Sequence, residues 1–171
     1  AFKGTRIYGD IVIPNTVTSI GEGAFEECDG ITSVKLPDDI LSIPKNTFKK
    51  CYSLTSVISS DDLFEIGNSA FYDCESLLNI SIGSGTLKIR DSAFYKCQAL
   101  GGTIDLSAVA TLENNAFDYC TNVEEFILPK AAFNSTAFSE CYKLKKFSYP
   151  DGVTETDFYY IDEYGVLYSA D

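Results

Sequence analysis

Histidine and methionine are both absent from this chain, and basic residues are scarce. Without histidine, the Ser-His-Asp and Cys-His arrangements of nucleophilic catalysis are excluded. Thirteen Lys and Arg stand against 25 Asp and Glu, a net charge of −12. A phosphate backbone is bound by clustered cations, and the one basic run, Lys143, Lys145 and Lys146, lies beside Glu140. No nucleic-acid partner is therefore expected, and anionic membrane surfaces are disfavoured on the same grounds. No apolar run approaches the ~18 residues of a membrane helix, so no direct membrane insertion is expected. No charged-then-apolar leader opens the chain. With Ala1 first and no methionine, the chain is expected to be a processed or excised piece, so the missing leader says nothing about the parent protein's destination. The six cysteines never approach the short C-x-x-C type of spacing that zinc sites use.

What the sequence does have is a beat, and repeats decide a fold before any local propensity does. The pattern A-F-x-x-C, with Thr for Ala once, recurs at Phe25, Phe48, Phe71, Phe94, Phe117 and Phe138, followed by Cys28, Cys51, Cys74, Cys97, Cys120 and Cys141. Four consecutive steps are 23 residues long and the last is 21. Ala1-Phe2 falls 23 residues before Ala24-Phe25, which makes a partial first unit with Thr5 in the Cys position. Five residues before each Phe stands an apolar residue: Ile20, Ile43, Ile66, Ile89, Leu112, Phe133. Three after each Cys stands another: Ile31, Leu54, Leu77, Leu100, Val123, Leu144. Alternating pairs follow, such as Val34 and Leu36, Ile80 and Ile82, or Phe126 and Leu128. Alternation over so short a stretch marks a strand buried on one face. Pro14, Pro37, Pro129 and Pro150, with Gly83 once, close these strands without interrupting a ladder.

One such unit cannot bury its apolar face, whereas stacked units can, each Phe, Cys and Leu landing on its counterpart. The expected fold is a repeat solenoid: strands of successive coils pair in parallel at ~4.8 Å as one continuous sheet. The A-F-x-x-C segments should form single α or 3-10 turns on the opposite face. Residues 1–153 make this solenoid of about seven units. Two irregularities stand out. Gly101-Gly102 precedes an apolar pair that arrives one residue late, a bulge in prospect, and the unit between Leu128 and Phe133 is two residues short. Beyond Val153 the beat fails. Residues 154–171, with Phe158, Tyr159, Tyr160 and Ile161 before the turn Asp162-Glu163-Tyr164-Gly165 and Val166, Leu167 and Tyr168 after it, read as a β-hairpin-like cap or the start of an interrupting segment.

Ile31-Thr32-Ser33-Val34-Lys35-Leu36-Pro37, and Ile66-Gly67-Asn68-Ser69-Ala70-Phe71-Tyr72-Asp73-Cys74 in a later unit, resemble the BspA-like leucine-rich repeats. Units of that family look like L-x-x-(V/I)-x-(L/I)-P-x-x-(V/I)-x-x-I-G-x-x-A-F-x-x-C. The resemblance runs from residue 1 to about 153. The tail Gly165-Val166-Leu167-Tyr168 is similar to the G-V-L-Y segment that interrupts such arrays, with Tyr164 where Asp is usual. The resemblance implies an extracellular or cell-surface protein of adhesion or host-protein binding, with no enzyme activity and no cofactor.

Several residues invite chemistry. The cysteines are expected to be buried free thiols in one core column. The pairs Asp38-Asp39, Asp61-Asp62 and Glu124-Glu125 have the residue types of a glycosidase, but they fall at turns or on a strand, where solvated acids are the plain expectation. Asn79-Ile80-Ser81 and Asn134-Ser135-Thr136 fit the glycosylation pattern, which matters only in a eukaryotic secretory setting. A macromolecular partner, a host or surface protein bound by a monomer, is the expectation for function; the alternative is a rigid spacer displaying neighbouring domains. Solenoids recognise partners on their extended sheets. The outward positions here run Asp10/Val12, Ser33/Lys35, Ser56/Ile58, Asn79/Ser81, Thr103/Asp105, Glu125/Ile127 and Lys146/Ser148. A hot spot needs an apolar anchor with a polar surround. The expected binding set is therefore Lys35, Ile58, Asp105, Glu125, Ile127 and Lys146, centred on Ile127, and the alternative is a lateral edge carrying Tyr72 and Tyr95.

Overall fold

Stacking the repeats at their 23-residue spacing gives two sets of parallel β ladders joined by turns, with no α-helix among the described residues. The computed structural model describes residues 2–80, 85–154, 159–163 and 166–169. Ser81, Ile82 and Gly83, expected to continue a strand, lie outside these residues, as do Phe158, Tyr164 and Gly165. The first ladder carries the long strands: β1 (Tyr8–Val12), β2 (Gly30–Lys35), β4 (Ser56–Ile58) and β6 (Asn79–Ile80), then β8 (Gly101–Asp105), β10 (Asn122–Ile127) and β11 (Lys146–Ser148). All pair in parallel, with Ser33 beside Ser56, Val34 beside Val57 and Phe126 beside Phe147.

Among the described residues the long strands pair as β1-β2-β4-β6 and as β8-β10-β11, and residues 81–84, which follow β6, lie outside the described ones. The Gly101-Gly102 unit runs one residue out of step. Gly102 has φ +72, and the compensating shift lies between Val123 and Glu125. A one-residue slip exchanges inward for outward side chains, so the register is restored by a bulge before the ladder can go on. A second ladder also exists, of two-residue strands β3 (Ser42–Ile43), β5 (Glu65–Ile66), β7 (Lys88–Ile89) and β9 (Thr111–Leu112). Its inward residues are the apolar ones five places before each Phe. Buried Ile43, Ile66, Ile89 and Leu112 close the core from that side.

The A-F-x-x-C segments are not helical turns except in the last unit, where Ser135–Phe138 is a 3-10 turn capped by the Asn134 side chain on the Thr136 amide. Elsewhere two residues per unit, four apart, take left-handed φ: Gly23 and Glu27, Asn46 and Lys50, Ser69 and Asp73, Ser92 and Lys96, Asn115 and Tyr119. Amides then alternate in direction. Ala70, Tyr72 and Cys74 donate within their own coil, to Gly67, Ser69 and Phe71. Ser69, Phe71 and Asp73 donate to the next coil, at Asp91, Ala93 and Tyr95. A continuous helix would send every amide along its own axis and leave the coils unbonded here. The left-handed residues cost conformational energy, offset by a hydrogen bond to the neighbouring coil at every second position.

Inside, the phenylalanines form a column. Ring centroids of Phe25–Phe48, Phe48–Phe71, Phe71–Phe94 and Phe94–Phe117 lie 5.4, 5.4, 5.3 and 5.0 Å apart, nearly parallel. The column loosens to 6.3 Å at Phe138, where the short unit has its 3-10 turn and Phe126 leans in at 4.5 Å. Each thiol has a fixed partner. Cys51, Cys74, Cys97 and Cys120 donate to the carbonyls of Phe25, Phe48, Phe71 and Phe94 in the preceding coil at 2.9–3.2 Å. The same carbonyls accept the amide of their own coil's Cys. Cysteine is thus small enough for the column and also a donor for a lone pair that alanine would leave unused.

The C-terminal strands β12 (Tyr159–Ile161) and β13 (Leu167–Ser169) pair antiparallel. Buried Tyr159 stacks on Tyr149 at 5.8 Å and donates its hydroxyl to the Pro129 carbonyl, and Ile161 and Leu167 pack on the core.

Two outcomes follow from this packing. Phe71→Ala removes a fully buried ring from the middle of the column and should cost about 3–5 kcal/mol. Because contacts are with nearest neighbours, hydrogen exchange should accelerate around that coil and its two neighbours more than at the ends; uniform weakening would contradict it. Burial pushes the Cys51 thiol from 9.0 to about 12, and raises Cys74, Cys97 and Cys120 well above the ordinary value. In the unfolded chain these thiols lose their protons first as pH rises, so the folded state loses stability between about pH 9 and 12. Alkaline denaturation should be steeper for the wild type than for a Cys74→Ala, Cys97→Ala variant. Thiol titration should find the cysteines slow in the native state and count six in denaturant without reductant.

Candidate functional site

Three outer surfaces carry the polar and aromatic side chains that could meet a partner. The first is the outward face of the long strands. Here the expected binding residues fall into two groups, separated by the coil of Asn79. In the N-terminal group, Lys35 lies between Val12 and Ile58 on adjacent strands. Val12 is 69% exposed and Ile58 56%. In the C-terminal group, Asp105 pairs with Ile127, and Glu125 with Lys146. Ile127 is only half-buried on this face, so the freest apolar side chains belong to the other group.

Charge on this face is largely satisfied within the array. Glu125 accepts from Ser148, from Lys146 at 3.0 Å and from Thr103 at 3.1 Å, and these donors hold its carboxyl below the usual carboxylate range. Asp10 is likewise lowered by the hydroxyls of Ser33 and Thr32. Lys145 reaches Glu124 at 2.7 Å, and Asp105 accepts the Ser107 amide. In each of the two carboxylate clusters, hydroxyls or ammonium groups from the neighbouring strands do the work, so the pairs tie coil to coil.

The second surface is the tyrosine edge. Tyr72 and Tyr95 stack at 4.7 Å, and Tyr119 meets Tyr95 edge-on at 5.6 Å. Lys49 lies 5.1 Å over Tyr72, and Lys96 sits against both Tyr95 and Tyr119. The ring faces are covered by one another and by lysines, so only edges and hydroxyls meet solvent.

The third surface borders the second ladder. Arg90 bridges two carboxylates on neighbouring coils, Glu65 and Glu113, each at 2.8 Å, and Glu113 also accepts the Asp91 amide. Beside it, an open hollow of about 680 Å³ is lined by Asp91, Glu113, Asn114 and Phe133. The carboxylate pairs Asp38-Asp39 and Asp61-Asp62 lie exposed at turns. Among the described residues no helix is long and apolar enough to cross a membrane.

The sequence matches the family described as BspA type Leucine rich repeat region, with six copies, over residues 1–124 and 42–164. The chain belongs to the BspA-type leucine-rich repeat family. A leucine-rich repeat protein from Bacteroides ovatus is similar at 34% identity and a TM-score of 0.80, covering 90% of this chain and 40% of that protein. A leucine rich cell surface protein from Faecalibacterium prausnitzii is similar at 26% identity and a TM-score of 0.73, covering 94% of this chain and 51% of that one. The leucine-rich repeat protein of T. pallidum, at 24% identity and a TM-score of 0.74, covers 81% of this chain and 68% of that one, and shares the fold. No curated protein matches the sequence. The chain thus spans about half or less of two of the three relatives it matches.

One feature of this BspA-type array escapes the usual reading of its repeat. Seven residues before the column phenylalanines stand Leu41, Phe64, Leu87 and Ala110, all exposed and each beside the next. Phe64, Leu87 and Ala110 donate their amides to the carbonyls of Leu41, Phe64 and Leu87. The same 23-residue beat marks them in the sequence. An apolar repeat position is naturally assigned to the core, and only the fold shows that this one faces out.

Electrostatics on this side are testable. Arg90→Ala leaves Glu65 and Glu113 facing each other without their shared cation, and should cost about 1 kcal/mol. Lys145→Ala, whose partner is exposed, should leave the unfolding midpoint unchanged. Chemical denaturation of both variants at low and high salt checks this; equal effects would show that the Arg90 bridge contributes nothing beyond a surface pair.

Proposed function

We propose that this BspA-type array is a non-catalytic binding and adhesion module, displayed at the cell surface or outside the cell, that presents its solenoid to a macromolecular partner such as a host or surface protein. The observation that carries the reading is the match over 94% of the chain to a relative described as a leucine rich cell surface protein. Supporting it, the described long strands offer outward side chains on successive coils, with Lys35 flanked by exposed Val12 and Ile58 at one end and Ile127 beside Glu125 and Lys146 at the other. A catalytic reading has no support from the chemistry: the chain has no histidine, and its carboxylate pairs lie at exposed turns or within inter-coil bonds. The second reading is a rigid spacer. It is favoured by the inter-coil saturation of Asp10 and Glu125, whose carboxylates already serve their neighbours.

Binding to a panel of immobilised host extracellular-matrix and epithelial surface proteins tests the reading. Wild-type chain should bind at least one. Ile127→Ser with Lys146→Glu should weaken that binding, as should Lys35→Glu with Ile58→Ser, by about tenfold or more where an anchor is lost. Tyr72→Ser with Tyr95→Ser should leave it intact. Loss only in the tyrosine pair would move the site to the lateral edge, and no binding to any panel member would put the spacer ahead. Sedimentation should give a monomer.

A further inference from the structure

The row Leu41, Phe64, Leu87 and Ala110 is not part of the long-strand face. Leu41 is 58% exposed, Phe64 38% and Leu87 37%. Isolated apolar residues on a surface need no explanation, but a contiguous row, one per coil on four successive coils, does. Its borders are charged in an uneven way. On one side run Glu65, Lys88 and Arg90, where Arg90 is occupied by Glu65 and Glu113, and Lys88 lies 5.0 Å over the Phe64 ring. On the other side, exposed turns bring Asp39 and Asp62 to the same place two residues ahead of Leu41 and Phe64, with Asp61 beside Asp62. Among the described residues none of these three aspartates has an ion pair, whereas Asp38 accepts from Asn15.

The spacing fits one kind of secondary structure. Paired strands of successive coils lie about 4.8 Å apart, and the column rings of these coils are 5.0–5.4 Å apart. An α-helix advances about 5.4 Å per turn. Apolar side chains at i, i+4, i+7 and i+11 of a helix laid along the stack would therefore meet successive members of the row. An extended chain, with same-face residues nearly 7 Å apart, falls out of step within two coils. The aspartates require cations beside the helix's apolar stripe.

We propose that the Leu41–Phe64–Leu87–Ala110 row is a docking surface for a basic amphipathic α-helix lying parallel to the solenoid axis, with its lysine or arginine side chains over Asp39, Asp61 and Asp62. The partner is a protein segment that is apolar on one stripe and cationic along its border. This rests on the reading of the chain as a binding module but uses a different surface, so the two can fail separately.

The probe is a labelled peptide of about 14 residues, long enough for the four coils, with Leu at i, i+4, i+7 and i+11 and Lys at the bordering positions. Three companions accompany it: one with Glu for Lys, one with a central Pro, and one of scrambled order. Fluorescence anisotropy with the full chain should show binding of the basic helical peptide alone, accompanied by a gain of helical circular dichroism. Leu41→Ser with Leu87→Ser, both surface changes whose folding is checked by thermal melting, should weaken it by about tenfold or more. Asp39→Asn with Asp62→Asn should weaken it and flatten its salt dependence. Ile127→Ser with Lys146→Glu should bind the peptide as the wild type does, even if that variant loses the long-strand partner. Binding that survives the leucine double variant overturns the proposal. So does equal binding of the proline or glutamate peptide, absence of binding at millimolar peptide, or a preference for phosphatidylcholine vesicles over the peptide.

Discussion

Every outer surface of this protein depends on one step, the passage from a coil to the next with each side chain landing on its counterpart. The step is held at the phenylalanine carbonyl. Phe48 accepts the Cys51 amide within its own coil and the Cys74 thiol from the following one. The ring of the same residue stacks on its neighbours at 5.4 Å. Backbone, thiol and ring are therefore fixed by one repeated geometry, and where the step shortens to 21 residues the ring spacing loosens to 6.3 Å although the Cys141 thiol still reaches the Phe117 carbonyl. Four steps keep the 23-residue length, and the Gly101-Gly102 slip is corrected by a bulge within a single strand pair.

Turns in place of helices are the second consequence of that step. Helical hydrogen bonds would satisfy each coil within itself and leave the coils to associate through side chains alone. Left-handed residues such as Lys50 and Lys96 have no intrinsic preference for that conformation, unlike glycine, asparagine or aspartate. They are held there by amides that reach the next coil at Tyr72 and Asp118. In the last unit the constraint relaxes: the segment is two residues short, Thr136 is not left-handed, and a 3-10 turn forms. Beyond it Tyr159, on the antiparallel pair β12 and β13, is buried against Phe133 and Tyr149.

Because one residue of each kind appears per coil, any outward position becomes a row, and the rows differ in how far they are already used. Glu125, Asp10 and Arg90 spend their charge on neighbouring coils, and the tyrosine rings cover one another. Lys35 with Val12 and Ile58, and Leu41 with Phe64 and Leu87, are rows whose apolar members stay exposed.

The sequence by itself determined the solenoid and its 23-residue register, because a repeated spacing of Phe, Cys and Ile can be buried only by stacking like on like. It also marked the Gly101-Gly102 irregularity and the change of character after Val153. Only the tertiary structure decided that the A-F-x-x-C segments before the last unit are left-handed turns, that the thiols of Cys28, Cys51, Cys74, Cys97 and Cys120 each donate to a carbonyl 26 residues earlier, and that Ile43, Ile66 and Ile89 form a second ladder. It also decided that Ile127 is half-buried while Ile58 is exposed, and that Leu41, Phe64 and Leu87 face solvent. The reason is the same in each case. Periodicity records which residues are equivalent from coil to coil, but a ladder hydrogen bond, a backbone handedness and the side of the coil a residue faces are settled between coils, where no local pattern in one unit can specify them.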